Sequence, residues 1–303
     1  MHDLTDRRGP ARAQGVDTLT ESEWRSRAAA HRARVDPWIA PRLARRTRGE
    51  SHPVDDFLFD YYSWRPGQLA RWHPGMGVTL TGNVGDFVGM RGYVVDETGA
   101  RVDVSALPLD VMKQALAIVE ATASRTPSFT CFGRHEWAMV YRLDSAKIRH
   151  TAWPLRLDQG AIDAVVESSP LRCTHFDAFR FYTEPARPLN LTVLTRTGQI
   201  QTEQPGCLHA TMDLYKWCFR SYPAIGADLT ADCFDLAREI RTIDMRASPY
   251  DFSDLGLMPI RIETPHGRGE YVEHQRDFAE RGALLRRRLM EALTRALDGA
   301  GSP

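Results

Sequence analysis

The sequence predicts an α+β fold, a mostly helical single domain with a small antiparallel sheet. Apolar residues recur every three or four positions through most of the long segments, which is typical of helices with one buried face. One glycine-punctuated segment, 77–104, instead alternates apolar and polar residues around "DETGAR", a pattern that predicts a hairpin. We expect a disordered tail over 1–19, one globular domain over 20–298 and a flexible end over 299–303.

Two helices are predicted near the N-terminus. Thr20 and Glu23 have the spacing of a capping box, which predicts a helix that runs to about Val35 and is ended or restarted by Pro37. The segment "HPVDDFLFDYY" begins with Pro53, a residue that the first turn of a helix tolerates. Its apolar residues have helical spacing, so we expect a second helix there.

The rest of the chain mixes helical and extended patterns. Further helices are predicted over 108–124 and 161–167, within "GCLHATMDLYKWCF", over 230–247 and from about Gly267 to Leu297. Strands are predicted within "LRCTHFDAFRFY", "LNLTVL" and "MPIRIET". In "FGRHEWAMVYR", Gly133 leaves room for a helix that starts at Arg134, with Glu136 in its first turn, where the helix dipole favours a carboxylate.

Composition narrows the class of protein. The net charge is zero, so overall charge gives no sign of a nucleic-acid or membrane partner. The five cysteines form no Cys-x-x-Cys pair, which favours reduced thiols over a disulfide framework. No apolar run of membrane-spanning length and no signal peptide is present. We expect a cytoplasmic protein without a membrane partner, and the sequence indicates no protein partner.

Positive charge is concentrated in two segments. The stretch from Arg25 to Arg48 holds eight arginines and one aspartate, and "RGALLRRRLMEALTRAL" forms a second basic cluster. Such stripes can neutralise phosphates. They can equally be the solvated faces of helices.

Several short segments place ionisable residues among aromatic ones. Buried carboxylates and arginines are rare unless they are paired, so these segments predict either a structural ion-pair network or a shared polar pocket. We expect "FGRHEWAMVYR" to form one wall of that pocket, with Trp137 partly in the core and His135 or Glu136 facing inward.

The segment "HATMDLYKW" predicts a helix with a polar stripe of His209, Asp213 and Lys216. The four-residue spacing superimposes His209 and Asp213 on one face, where they could bind a metal or act as an acid–base pair. The alternative is an exposed face with an ordinary ion pair between Asp213 and Lys216.

On a strand through "CTHFDAFRF", Cys173, His175 and Asp177 would point the same way. Cys173 with His175, and Cys207 with His209, make two Cys-x-His pairs with zinc-like donor chemistry. A free cysteine is more often a small buried hydrophobe. We therefore expect no cofactor and no metal ligand, and keep a metal held by these four residues as the less favoured alternative.

Six segments together resemble an actinobacterial family named 3-methyladenine DNA glycosylase. The resemblance covers roughly Glu21 to Leu293. No hydrophobic-Pro-Gly-hydrophobic-Gly hairpin is present, so the chain does not resemble the helix-hairpin-helix glycosylases. The matching segments are "HPVDDFLFDYY", "RWHPG", "FGRHEWAMVYR", "RCTHFDAFRFYT", "EQPGCLHATMDLYKW" and "RASPYD".

The resemblance implies a hydrolase of base-excision DNA repair that cleaves the N-glycosidic bond of an alkylated purine, with damaged DNA or a nucleobase-containing small molecule as partner. The domain over 20–298 would then be catalytic. Such an enzyme flips the base into an aromatic pocket and stabilises an oxocarbenium-like sugar with a carboxylate. By their chemistry, the candidate catalytic residues are Asp177, Glu136, His135, Asp213, His175 and His209. The candidate substrate-binding residues are Trp64, Trp72, Trp137, Tyr62, His52, Asp56, Arg180 and Lys216.

Two other classes of function fit the same residues. The first is a small-molecule enzyme, with or without a metal, that uses the pocket rich in His, Asp and Glu. The second is a binding protein without catalytic activity, for which so many paired ionisable groups would be costly to keep.

Overall fold

Helices dominate the computed structural model, which describes residues 17–143 and 153–301. The predicted mostly helical α+β class is confirmed. The helices are α1 (Glu21–Thr47), α2 (Phe57–Tyr61), α3 (Pro66–Ala70), α4 (Leu109–Ala123), α5 (Arg134–Ala138), α6 (Gln159–Glu167), α7 (Phe176–Phe179), α8 (Gln199–Thr202), α9 (Leu208–Arg220), α10 (Ala227–Arg246) and α11 (Pro265–Gly301). The strands are β1 (Asp17–Leu19), β2 (Val78–Leu80), β3 (Tyr93–Asp96) and β4 (Gly99–Val102).

The sheet has the strand order β1-β2-β4-β3. The predicted hairpin is confirmed as β3 and β4, which pair antiparallel with Asp96 opposite Gly99. The sheet is mixed and not purely antiparallel, because β1 pairs parallel to β2. The predicted tail over 1–19 is wrong at its inner end, where residues 17–19 form β1, and its residues 1–16 lie outside the described residues.

The first helix starts as predicted but ends much later. The Thr20 amide donates to Glu23 Oε2 over 2.8 Å, which confirms the capping box. The predicted end near Pro37 is wrong, since α1 continues through Pro37 and Pro41. A proline inside a helix removes one hydrogen bond. Buried contacts on both sides of Pro37, such as that of Ile39, offset this loss.

An ion-pair cluster fastens the end of α1 to the start of α2. The buried Asp56 carboxylate pairs with Arg45 and lies 3.0 Å from Arg42 Nη1, and it also accepts from the His52 amide over 2.8 Å. The His52 ring accepts from the Asp55 amide over 3.0 Å and closes the turn before α2. The predicted second helix therefore begins at Phe57 and not at Pro53.

The helical core is built around α9, which is buried on nearly its whole circumference and packs against α10 and α11. Gly282 permits a close approach of α11, because a Cβ there would lie 2.6 Å from Thr211 Cγ2. The helices predicted from periodicity in this part of the chain are confirmed, as are α4 and α6. The predicted flexible end is wrong up to Gly301, where α11 ends, and residues 302–303 lie outside the described residues.

Three predicted strands are wrong. The segment with His175 and Asp177 forms α7, and only an isolated bridge joins Leu171 to Asn190 within the described ranges. The Asn190 side chain accepts from the Cys173 amide and donates to the Cys173 carbonyl, so a side chain replaces the ladder of a strand there. "MPIRIET" is irregular. Within the described ranges, no helix has the length and apolarity needed to cross a bilayer.

We predict that Asp56→Asn lowers the free energy of unfolding at pH 7 by about 3 kcal/mol, because it leaves two arginines without their buried partner. Burial raises the pKa of Asp56, but Arg45 and the His52 amide outweigh it and hold that pKa below its ordinary value. The contribution of Asp56 is therefore complete above about pH 3.9 and is lost as the pH falls through the lower, folded-state pKa. Urea denaturation at pH 7, and at a pH below the folded-state pKa of Asp56, measures this contribution.

Asp60→Asn is the matched control. Asp60 also contacts Arg42, but its side chain is 55% exposed, so we expect a change below about 1 kcal/mol. An equal loss of stability in the two variants would contradict the role assigned to Asp56.

Candidate functional site

Two groups of potential metal ligands lie side by side along α9. The His135 group consists of His135, His209 and Asp244, and the His175 group consists of His175, Glu203 and Asp213. In each group the ligand atoms all lie within 4.8 Å of one another. His209 and Asp213 are one helical turn apart on α9, which is why the two groups are neighbours.

Four other elements complete the groups. His135 lies in the first turn of α5, which begins after Gly133 at a positive φ of 68°. Asp244 lies near the end of α10, His175 caps the start of α7, and Glu203 follows α8. All of these side chains are buried except that of His209, which keeps some exposed surface.

Hydrogen bonds and charge hold the His135 group together. His135 Nε2 lies 3.3 Å from Asp244 Oδ2 and 3.8 Å from Glu136 Oε1. The buried Arg241 places Nη1 3.0 Å from Glu136 Oε1 and 3.6 Å from Asp244 Oδ2. On the other side, the Tyr271 hydroxyl donates to Asp244 Oδ1 over 3.4 Å. Residues outside the ligand group therefore fix the carboxylates of Glu136 and Asp244.

The His175 group is equally enclosed. His175 Nδ1 lies 2.7 Å from Glu203 Oε1, without the alignment of a hydrogen bond, and Nε2 lies 3.6 Å from Asp213 Oδ2. Gln199 donates to Glu203 over 2.6 Å, and the Tyr62 hydroxyl donates to Asp213 Oδ1 over 2.8 Å. Partners of this kind orient metal ligands in known sites.

His209 connects the two groups. Its ring meets the His135 ring edge to face, with centroids 4.4 Å apart. It stacks on the His175 ring with centroids 5.4 Å apart and an angle of 23° between the planes. The three imidazoles therefore form one continuous array through the protein interior.

The charges of the His135 group depend on each other. Burial lowers the pKa of His135, but the Asp244 carboxylate outweighs it, so this pKa lies well above its ordinary value. Burial raises the pKa of Asp244, but the charge of His135 holds it below its ordinary value. Burial and the charge of His135 hold the pKa of His209 well below its usual range. Without a metal, His135 therefore carries a proton and His209 does not.

The charges of the His175 group also depend on each other. Burial lowers the pKa of His175, but Glu203 and Asp213 raise it above its ordinary value. Burial raises the pKa of Glu203, yet the His175 charge keeps it below its usual range. Lys216 forms a short ion pair with Asp213, which outweighs burial and raises the pKa of Lys216.

Lys216 connects Asp213 of the His175 group to Asp177 near the protein surface. The Asp177 side chain is 12% exposed, and Lys216 Nζ lies 3.4 Å from its Oδ2. Arg180 and Arg196, which are largely exposed, contact its Oδ1 over 3.2 and 3.4 Å. Asp177, Arg180 and Lys216 therefore form the solvent edge of the site, one layer outside the ligand groups.

Of the remaining predicted substrate-binding residues, Tyr62 contacts a ligand group and the others lie outside the two groups. Trp137 and Trp72 are buried and donate to the Ala247 carbonyl and to Asp228. Trp64 is partly exposed and stacks on Phe219 with centroids 5.5 Å apart. His52 and Asp56 belong to the ion-pair cluster that joins α1 to α2, whereas Tyr62 reaches the site.

Cysteine belongs to neither ligand group in the described part of the chain. Cys173 donates its thiol to the His175 carbonyl over 3.4 Å. Burial raises the pKa of Cys173 to about 11 and that of Cys207 well above its ordinary value. Both sulfurs are therefore thiols in the metal-free protein, and either would have to lose its proton to bind a metal.

Sequence reasoning missed Glu203, Arg241, Asp244 and Tyr271. Glu203 begins the segment "EQPGCLHATMDLYKW", and Arg241 and Asp244 lie in the helix predicted over 230–247. The three-residue spacing of Arg241 and Asp244 on a helix is a local signal for an ion pair. No local signal identifies Tyr271.

Carboxylates of the same chain neutralise most arginines of the first basic segment and two of the five in the second, Arg281 and Arg288. Arg34 and Arg288 both pair with Asp232, and Arg281 pairs with Glu239. Further pairs in the first basic segment are Arg25–Glu21, Arg32–Asp36, Arg42–Asp56, Arg45–Asp56 and Arg48–Glu50. These stripes thus offer less free charge to phosphates than the sequence indicates.

Comparison with known proteins gives no match, since no protein-family model, no curated protein and no solved structure is significantly similar to this chain. The resemblance to the 3-methyladenine DNA glycosylase family stays a prediction. The functional inference is therefore based on the geometry of the two groups.

We predict that Arg241→Met lowers the free energy of unfolding by about 3 kcal/mol in the presence of EDTA, because the buried carboxylates of Glu136 and Asp244 lose their cation. Urea denaturation at pH 7 measures this change. Arg238→Met on the same helix is the control, since Arg238 is 34% exposed and pairs with Asp235 at the surface. We expect it to stay within about 0.5 kcal/mol of the natural chain.

Proposed function

We propose that this protein is a metal-dependent enzyme that acts on a small molecule, with one divalent first-row ion in each ligand group. One observation carries the proposal: two sets of three nitrogen and oxygen ligands, each set within 4.8 Å, lie side by side, and the buried helix α9 supplies one ligand to each set. Sites built from inward-facing side chains of packed helices are a recurrent way to hold two metal ions.

The ligand spacing of the His135 group suits such an ion. Two ligands that each lie about 2.1 Å from a tetrahedral ion are about 3.4 Å apart. His135 Nε2 and Asp244 Oδ2 are separated by 3.3 Å. Imidazole and carboxylate donors without thiolate favour zinc, iron or manganese over copper(I).

The balance of charge also favours cations in the site. Four carboxylates are buried here, those of Glu136, Glu203, Asp213 and Asp244. Within the described residues, Arg241 and Lys216 are the only permanent cations that form ion pairs with them. Protons on His135 and His175 supply the missing charge in the absence of a metal. A divalent ion would displace these protons and take over their role.

A divalent ion in these groups would act as a Lewis acid and lower the pKa of a bound water, which is the chemistry of metal-assisted hydrolysis. The chain itself orients the ligands through Tyr62 and Tyr271. Substrate would enter at the solvent edge, where Arg180 and Arg196 flank Asp177 and favour an anionic group. Because the ligand groups are buried, a substrate that approaches from this edge would have to be a small molecule.

The DNA N-glycosylase function stays a prediction, and two observations favour the small-molecule alternative over it. Three of the four aromatic residues proposed for base stacking, Trp72, Trp137 and Tyr62, are buried and hydrogen-bonded within the protein. The arginines proposed for phosphate binding are mostly paired with carboxylates.

Metal content of the purified protein tests the proposal. After dialysis against zinc, manganese or iron(II), we expect elemental analysis to find about two ions per chain of the preferred metal. His135→Ala and His175→Ala should each lose about one ion, because each removes a ligand from a single group. His266→Ala, which changes an exposed histidine on α11, should bind metal like the natural chain.

Metal content that is unchanged in His135→Ala and His175→Ala would contradict the proposal. A second assay separates the two functions, in which methylated duplex DNA is incubated with the protein and free bases are identified by mass spectrometry. Release of 3-methyladenine that persists in EDTA and is lost in Asp177→Ala would support the glycosylase and not the metal-dependent enzyme.

A further inference from the structure

A cavity of about 640 Å³ is lined by Pro205, which follows Glu203 of the His175 group by two residues. It is formed between the end of α4, the chain after it and the middle of α11. Its wall is largely apolar and includes Phe129, Pro205 and Met290. A cavity of this size fits a small organic ligand.

Arg286 lines this cavity and is unusual among the buried arginines. Its side chain is buried, with 2% exposed, and its Nε and Nη2 atoms have no hydrogen-bond partner in the described part of the chain. Buried Arg134 and Arg241 also have an unpartnered Nε, but their other nitrogens donate to two backbone carbonyls and to Glu136, respectively. A buried guanidinium without a partner is costly, so its retention points to a partner that comes from outside the chain.

Other positive groups surround the same cavity. Arg276 lies over the Phe129 ring, with its guanidinium carbon 5.7 Å from the ring centroid, and Arg287 is exposed at the rim. Arg125 donates only to backbone carbonyls, including that of Glu203. None of these arginines forms an ion pair within residues 17–143 and 153–301, and Glu280 is the only carboxylate of the wall. The potential in the cavity is therefore positive.

We propose that this cavity binds a small organic carboxylate with an apolar body, whose carboxylate pairs with Arg286 and whose body packs on Phe129 and Met290. A carboxylate can accept two parallel hydrogen bonds from a guanidinium, which matches the two unpartnered nitrogens. The apolar wall favours a hydrocarbon or aromatic body over a strongly hydrated dianion such as phosphate. The proposal does not depend on a metal in the ligand groups along α9.

Calorimetric titration with decanoate and decanol tests the proposal on the full chain. The two probes share an apolar body, and only decanoate carries the charge. We expect decanoate to bind the natural chain at least about tenfold more tightly than decanol, as charge-assisted hydrogen bonds imply. Arg286→Met should weaken decanoate binding by about tenfold or more. Arg295→Met removes a positive charge from an exposed position of the same helix outside the cavity and should leave the binding unchanged.

Equal binding of decanoate and decanol to the natural chain would overturn the proposal, and this comparison needs no variant. Decanoate binding that is unchanged in Arg286→Met, or reduced equally in Arg295→Met, would also overturn it. Inorganic phosphate that displaces decanoate at equal concentration would show a general anion site and contradict the apolar part of the proposal.

Discussion

Charge balance around α9 is the constraint on which the rest of the structure depends. An uncompensated charge in a protein interior costs several kcal/mol, so each buried carboxylate must have a cation, a proton-carrying imidazole or a metal beside it. α9 places His209 and Asp213 at the centre of the molecule. The helices packed against it, and the turns around α7 and α8, then have to supply Arg241, His175 and the other partners in register. The fold of the helical half is thus tied to one electrostatic network.

The two proposed sites have opposite imbalances of permanent charge. Carboxylates outnumber permanent cations around α9, where Glu203 belongs to the His175 group. Arginines outnumber carboxylates in the cavity lined by Pro205, where Arg286 lies within electrostatic reach of Glu203 but forms no ion pair with it in the described part of the chain. A direct pair would satisfy both groups. Their separation keeps one free for a cation and the other for an anion, which links a proposed metal centre to a neighbouring ligand cavity.

Local patterns were sufficient for much of the fold. The periodicity of α4, α9, α10 and α11 and the turn residues between β3 and β4 act within a few positions of the chain, so they can be recognised without knowledge of the partners. The continuation of α1 past Pro37 cannot be recognised from local patterns, because it depends on Asp56 and on buried contacts formed far along the chain. The helical form of α7 cannot be recognised from local patterns either, since Asn190 takes the hydrogen bonds that a strand would use.

The sequence by itself determined that His135, His175, His209 and Asp213 lie in apolar surroundings where they need polar partners, and that the last two share a helix face. Only the tertiary structure decided which partners they have. Asp244 completes one group because α10 packs against α9, and Glu203 completes the other because the residue after α8 lies within 4.8 Å of Asp213. Cys173, two residues before His175, instead donates its thiol to the His175 carbonyl. Helical spacing fixes neighbours within one turn, whereas a ligand set is assembled across elements whose docking depends on the shape and charge of the whole core.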